Sequence, residues 1–553
     1  MSIKKLKLLL ALPVVLYAGC SMGTSPILSP VPVEEIILDV TGLTLPEESS
    51  YTLTAEIKPY YATEKSLVWQ SSDQSVVRVE NGTVTAVAPG NTVITVSSKN
   101  GKKNAQCNVR VMNRTADFIF NTETGTILGY TGGSTTVIIP SVFADITVSG
   151  IGNNAFAGLT GIRSVEIPDG VISIGNSAFS GCISLRDVVI PDGLTAIGSS
   201  AFYQCTSLRN ITLPSGLDFI GDEVFYQCTS IRTINFPSGI TKIGDGAFEG
   251  CTGLTEAVIS SAVTSIGDYA FSGCTSLSRL ELPPDIVKIG ISTFYGCTGL
   301  RTVSLPNKIT AIGNSAFYGC TSLYSVSFST ALQTIGSYSF SGCTSLSAVS
   351  LPATTKTIGT GIFSGCTALG EITLPVDISI IPEEAFSGCT SLSGVTLPSS
   401  LDKIKQSAFS GCTSLDRIDI PSGLTEIGGS AFSGCTALDE IHIPDSVTLL
   451  AGSVFSGCTS LGDVSLPSGL TALEDGFFSD CSSLTSVSLP DIQTIGQSAF
   501  SGCINLNAIT LPVSLKTIGS NSFSGCTQLK AIAIPDGVTG IGTRAFYQVP
   551  LLK

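Results

Sequence analysis

Three sets of residues in this chain have the types and spacing to do chemistry. The first is a column of sixteen cysteines from Cys182 to Cys526, separated by 23 residues throughout except for 22 between Cys481 and Cys503. Thiols can bind metal or form disulfides. A metal site needs close pairs such as C-x-x-C, or nearby histidines, to converge on one ion. A 23-residue interval instead stacks each thiol over the next along one interior line. Leu159 and Val549 occupy the same slot in the first and last units. The column therefore reads as buried thiols acting as small hydrophobes. Disulfides between adjacent units stay open as an alternative in an exported, oxidised protein.

The second set is His442, the single histidine, with Asp419 and Ser465 at the equivalent positions of the units before and after it. An Asp-His-Ser line could in principle activate a serine hydroxyl. Ser304, Ser327, Ser350, Thr373, Thr396 and Ser488 fill the same column, so Ser465 is not distinctive. Amides committed to a β-ladder also leave no oxyanion hole. The third set is Arg163, Arg186, Arg209 and Arg232, four places after the cysteine slot in four consecutive units, with Arg301 further on. Stacked guanidiniums suit an anionic partner through charge-assisted hydrogen bonds. The plainer reading is a solvated edge neutralised by Asp187 and Glu166. Glycine pairs such as Gly244 and Gly246 are repeat turns, since no GxGxxG or Walker pattern follows a strand.

The element that positions these residues is a repeat: Cys-Thr-Ser-Leu-x-x-Val-x-Leu-Pro-x-Gly-Leu-Thr-x-Ile-Gly-x-x-Ala-Phe-x-Gly. It runs through eighteen units, each with a phenylalanine three residues before the cysteine slot, from Phe156 to Phe546. Leu-x-x-Val-x-Leu predicts a strand, which proline then ends because it has no N–H to donate. Leu-Thr-x-Ile-Gly predicts a second extended segment, and Ala-Phe-x-Gly has room for little more than one helical turn. One unit cannot bury its apolar side, but a stack can. At roughly 4.8 Å per rung the stack would be an arc about 85 Å long. The residue missing near Asp491 falls in the turn after proline, where a deletion is best tolerated.

Ahead of the repeats, residues 33–112 hold short alternating segments, among them Ser66–Trp69, Val76–Val79, Thr83–Val87 and Thr92–Val96. This strand density predicts a β-sandwich, with Trp69 as its core plug. Residues 113–149 read as a lead-in capping the repeats, which occupy 150–553. Residues 1–19 read as an export signal: Lys4, Lys5 and Lys7 precede an apolar run, Leu8–Leu16, too short to span a bilayer. Leu16-Tyr17-Ala18-Gly19-Cys20 resembles a lipobox, with Tyr17 where leucine is usual. That resemblance implies lipidation of Cys20, and Ser21 after it implies the outer membrane where the envelope has one. Residues 20–32 form a Pro/Ser spacer.

Leu67–Val79 with Gly82–Gly90 resembles the group 2 bacterial immunoglobulin-like domain. It has one cysteine, Cys107, so no inter-sheet disulfide is expected. The repeat resembles the BspA-like, or Treponema-type, leucine-rich repeat, and Asp117–Tyr130 through Val137–Pro140 resembles that family's lead-in. The fold expected is mostly β: an N-terminal Ig-like sandwich followed by a leucine-rich-repeat solenoid with a parallel β arc.

The net charge of −14 argues against a nucleic-acid partner. The resemblance implies a non-catalytic surface lipoprotein, an adhesin or ligand-binding protein. Its membrane contact would be the lipid anchor, its partner a host or matrix protein or an anionic glycan. A structural or assembly protein of the cell envelope is the alternative. No cofactor is expected.

Overall fold

The computed structural model describes residues 30–550. The segment expected to be an export signal, Cys20 and most of the expected spacer lie outside the described residues. The chain divides at residues 111/112 into two compact units, each with its own core. The first has nine short strands: β1 (Glu35–Leu38), β2 (Gly42–Pro46), β3 (Ser50–Thr52), β4 (Ala55–Lys58), β5 (Leu67–Ser71), β6 (Val77–Glu80), β7 (Thr83–Ala86), β8 (Gly90–Ser98) and β9 (Asn104–Met112). They form sheets ordered β1-β4, β2-β9-β8-β5 and β3-β7-β6. Val77, Val84, Ile94, Val96, Cys107 and Val111 are fully buried between them.

Trp69 is not the plug expected of it. It lies on β5, the edge strand of its sheet, opposite Val96 of β8, so its inward-facing side chain stays half-buried at the margin of the core. The central place goes to small branched residues and the Cys107 thiol.

The second unit opens with an antiparallel hairpin, β10 (Phe118–Asn121) and β11 (Thr126–Tyr130). β11 pairs in parallel with Gly150–Ile151 and so starts the stack. Asn113, buried, donates to the Tyr130 hydroxyl (3.0 Å) and accepts from the Ile138 amide (2.7 Å), which braces the lead-in internally. Beyond it the chain coils, and three backbone ladders join the rungs.

The first ladder is the x-Val-x strand, as in Thr302–Ser304 on Ser325–Ser327. The second is the two-residue x-Ile strand before glycine. Its strand recurs in all eighteen rungs from Gly150–Ile151 to Gly540–Ile541, with the pairing broken at four steps, whereas the first strand is missing from some rungs altogether. The first ladder shrinks to a single bridge at Asn210 and is not formed at 232–236, 416–420 or 530–534.

The third ladder lies in the Ala-Phe-x-Gly segment, which forms turns rather than helix. Ser177, Phe179 and Gly181 donate their amides to the carbonyls of Ser199, Ala201 and Tyr203 in the next rung, at 2.8–2.9 Å. Aiming alternate amides the same way needs left-handed backbone at both ends of the segment. Gly181 (φ 73°) supplies it freely, but Ser177 (φ 54°) and its counterparts do so with a side chain. The inter-rung bonds offset that strain.

The consensus follows from these ladders. Glycine after the isoleucine permits a close approach in most rungs: a Cβ on Gly198 would sit 2.5 Å from the Asn176 amide nitrogen, and Pro382, Lys405, Ala451 and Glu474 take its place in four others. Threonine after the cysteine bridges rungs, Thr229 Oγ1 donating to the Thr206 carbonyl at 3.2 Å. Threonine after the leucine does the same, Thr241 Oγ1 to the Asp218 carbonyl at 3.0 Å. Proline's carbonyl closes a turn by accepting the amide three residues on, as from Leu194 to Pro191. In the short unit Ile492 donates to Pro490, two residues back. The missing residue thus turns a four-residue turn into a three-residue one, and the ladder resumes with Thr494 on Ala472.

Inside, the phenylalanines form one continuous stack from Phe156 to Phe546, with ring centroids 4.9–5.8 Å apart. Tyr130 of the cap stacks on its first ring at 5.8 Å.

Candidate ligand-binding face

All sixteen repeat cysteines are free and buried. Each thiol donates to the carbonyl of the preceding rung's phenylalanine at 3.1–3.2 Å, as Cys205 does to Phe179 and Cys343 to Phe317. The slot is therefore more than apolar. It rewards a small group that can give one weak hydrogen bond, a preference that periodicity alone does not reveal. Burial raises the thiol pKa of Cys182, Cys251, Cys297 and Cys458 to about 12, and others higher. Protonated donors of this kind are poor nucleophiles. Among the described residues no group of three or more His, Cys, Asp or Glu could hold a metal.

His442 lies exposed on the first ladder, in register with Ser465. A shallow depression of about 310 Å³ runs past Arg417, Asp419, Glu440, His442 and Ser465. No hydrogen bond links the histidine to Asp419 or Ser465 among the described residues. The arrangement juxtaposes the three types without coupling them.

The arginine column stands at the entry to the same ladder. Arg163, Arg186, Arg209 and Arg232 are all exposed. Their backbones stack directly: Arg186 donates to the Arg163 carbonyl at 2.8 Å and Arg209 to that of Arg186 at 3.1 Å. Among the described residues no ion pair involves any of the four, nor Asp187. Arginines one position further on behave differently. Arg279 pairs across rungs with Glu256 (3.4 Å) and along its strand with Glu281, and Arg417 pairs with Glu440 at 2.9 Å. The fold can neutralise arginine on this face, and it does not do so in the first four rungs. Two of those rungs, at Asn210 and 232–236, are where the first ladder loosens.

The family model described as BspA type leucine rich repeat region matches residues 135–255, 241–370, 333–462 and 448–553. That for the bacterial Ig-like domain (group 2) matches 32–109. A leucine-rich repeat protein of Bacteroides ovatus is 25% identical, with a TM-score of 0.51, over 77% of this chain and 98% of that one. A leucine rich cell surface protein of Faecalibacterium prausnitzii is 30% identical, with a TM-score of 0.41, over 63% and 92%. Two curated proteins match over short stretches. An uncharacterized protein of Clostridium acetobutylicum is 45% identical over 65 residues, 11% of this chain and 16% of its own length. An alpha-L-arabinofuranosidase of Bifidobacterium longum is 43% identical over 70 residues, 12% of this chain and 7% of its own.

Proposed function

This chain belongs to the BspA type leucine-rich-repeat family, and from that premise we propose that it is a non-catalytic binding protein displayed on a bacterial surface. The observation that carries this reading is the column Arg163, Arg186, Arg209 and Arg232: exposed, stacked at rung pitch and without ion pairs. Like charges one strand apart repel, so a partner with spaced anionic groups gains by relieving them. The partner class is a sulfated or sialylated glycan or an acidic protein patch, which makes the protein an adhesin or ligand-binding protein. Anchoring is by lipid on Cys20, in the outer membrane or at the cell surface. Against catalysis stand the uncoupled His442 and strand amides already used by the ladder.

The test is retention on immobilised heparin and on sialylated glycans at low and high salt. Parent protein is retained at low salt and released by salt. Arg186→Ser with Arg209→Ser loses retention while keeping the parent's melting temperature. Equal retention of parent and double variant would remove the arginine column from the reading.

A further inference from the structure

The coil has a second like-charge column, on a different side of the rung from the arginines. Asp222, Asp245 and Asp268 follow the second ladder at equivalent positions of three consecutive rungs. Each holds one carboxylate oxygen on the amide of the next rung: from Asp245 to Asp222 at 2.9 Å, from Asp268 to Asp245 at 2.9 Å and from Ile291 to Asp268 at 2.8 Å. That bond fixes each carboxylate in place and leaves its second oxygen uncommitted to the ladder. Asp222 and Asp245 are exposed and Asp268 half-exposed, and no ion pair involves any of them among the described residues. The turn layer beside them, Gly221–Gln227, Gly244–Gly250 and Gly267–Gly273, contains no lysine or arginine and adds Glu223 and Glu249. The same layer presents Tyr203 stacked on Tyr226, rings 4.6 Å apart and parallel within 3°, a surface on which guanidinium groups pack well.

Both columns belong to one coil, so both advance by the same rung spacing. A row of guanidiniums from one copy therefore meets a row of carboxylates from another at a matching pitch, closest where Arg163, Arg186 and Arg209 are joined by backbone hydrogen bonds. A ligand built on any other repeat would drift out of register. We propose that the anionic partner of the arginine column is the aspartate column of a second copy of this chain, so that solenoids associate side by side. The inference rests on the reading of the arginines as a binding stripe and names its partner. Because the two columns occupy different sides, each joined copy keeps one column unused. The contact is heterologous, and association continues past the dimer. Four arginines facing three aspartates also allow a one-rung slip without loss of a pair.

The experiment is sedimentation velocity of the full chain, purified in detergent under reductant, at low salt and near 1 M salt, where screening is nearly complete. The parent should form faster-sedimenting species that grow with concentration and vanish at high salt. Arg186→Glu with Arg209→Glu should remain a monomer, and so should Asp222→Lys with Asp245→Lys. An equal mixture of these two variants should recover the fast species, because each then offers the column the other needs. Unchanged circular dichroism would show that both remain folded. A parent that stays monomeric at low salt, or a mixture that fails to recover association, overturns the inference. Should the parent be monomeric yet lose heparin retention on Arg186→Ser with Arg209→Ser, self-association falls while the binding stripe stands.

Discussion

Raising the pH should unfold the solenoid through its thiols. The sign follows from which state holds the proton more tightly. In the unfolded chain a thiol titrates near its ordinary value of 9.0, whereas burial lifts those of the folded rungs to about 12 or above. The folded state thus binds more protons between these limits. The stabilisation is complete below pH 9 and is lost as pH rises through that range. At pH 10 each rung forfeits about 1.4 kcal/mol. Over sixteen rungs the loss is on the order of 20 kcal/mol, more than the roughly 5–15 kcal/mol that holds a typical domain together. A cooperative transition is therefore expected at about pH 9.5–10.5. It is read in reducing buffer by loss of the β-sheet circular dichroism and by the simultaneous rise of thiolate absorbance. Replacing Cys320, Cys343 and Cys366 with valine should make the fall of stability with pH shallower, since three fewer thiols release protons on unfolding. Persistence of the sheet signal at about pH 11, with no thiolate appearing, would refute the reasoning.

Three further outcomes are expected. Phe340→Ala, in the middle of the ring stack, should cost roughly 3–5 kcal/mol, and the same change at the terminal Phe546 clearly less; equal small losses in denaturant melts would contradict a continuous core spine. Cys343→Val leaves the Phe317 carbonyl with only the Cys320 amide and should cost about 1 kcal/mol, so a melt identical to the parent's would mean the thiol donor contributes nothing. Cys20→Ser should move the protein out of the membrane fraction, and unchanged detergent partitioning would place the anchor elsewhere.

Period and polarity were enough to read the coil itself. The 23-residue recurrence, the phenylalanine column and the proline turn each state a rule that must hold in every unit. The unit lacking a residue obeys it by shortening the turn at Pro490. What escaped the sequence lies where side-chain pattern and backbone bonding separate. The Ala-Phe-x-Gly segment has no alternation to betray a ladder, because its inter-rung bonds depend on left-handed residues such as Ser177 and Tyr338, which composition does not mark. Leu-x-x-Val-x-Leu is the more conspicuous strand in sequence. The two-residue x-Ile strand is the more continuous one, since glycine after it lets rungs approach closely. Trp69 misled because size was taken for centrality in a sheet where it sits on the last strand. Of the candidate face, the arginine column was visible as spacing. Its lack of ion pairs, and the aspartate column that matches its pitch, needed the fold.

The bonds between rungs also govern how long this chain takes to fold. Each joins residues about one repeat apart, whether Ser177 to Ser199 or Cys205 to Phe179. Loop closure is therefore equally short at every step, and the mean contact separation relative to length falls as rungs are added. Once the hairpin of β10 and β11 has seated Gly150–Ile151, each new rung needs only its predecessor as a template. Growth proceeds like a zipper, in time proportional to rung number, and unzipping under tension would release the rungs one at a time.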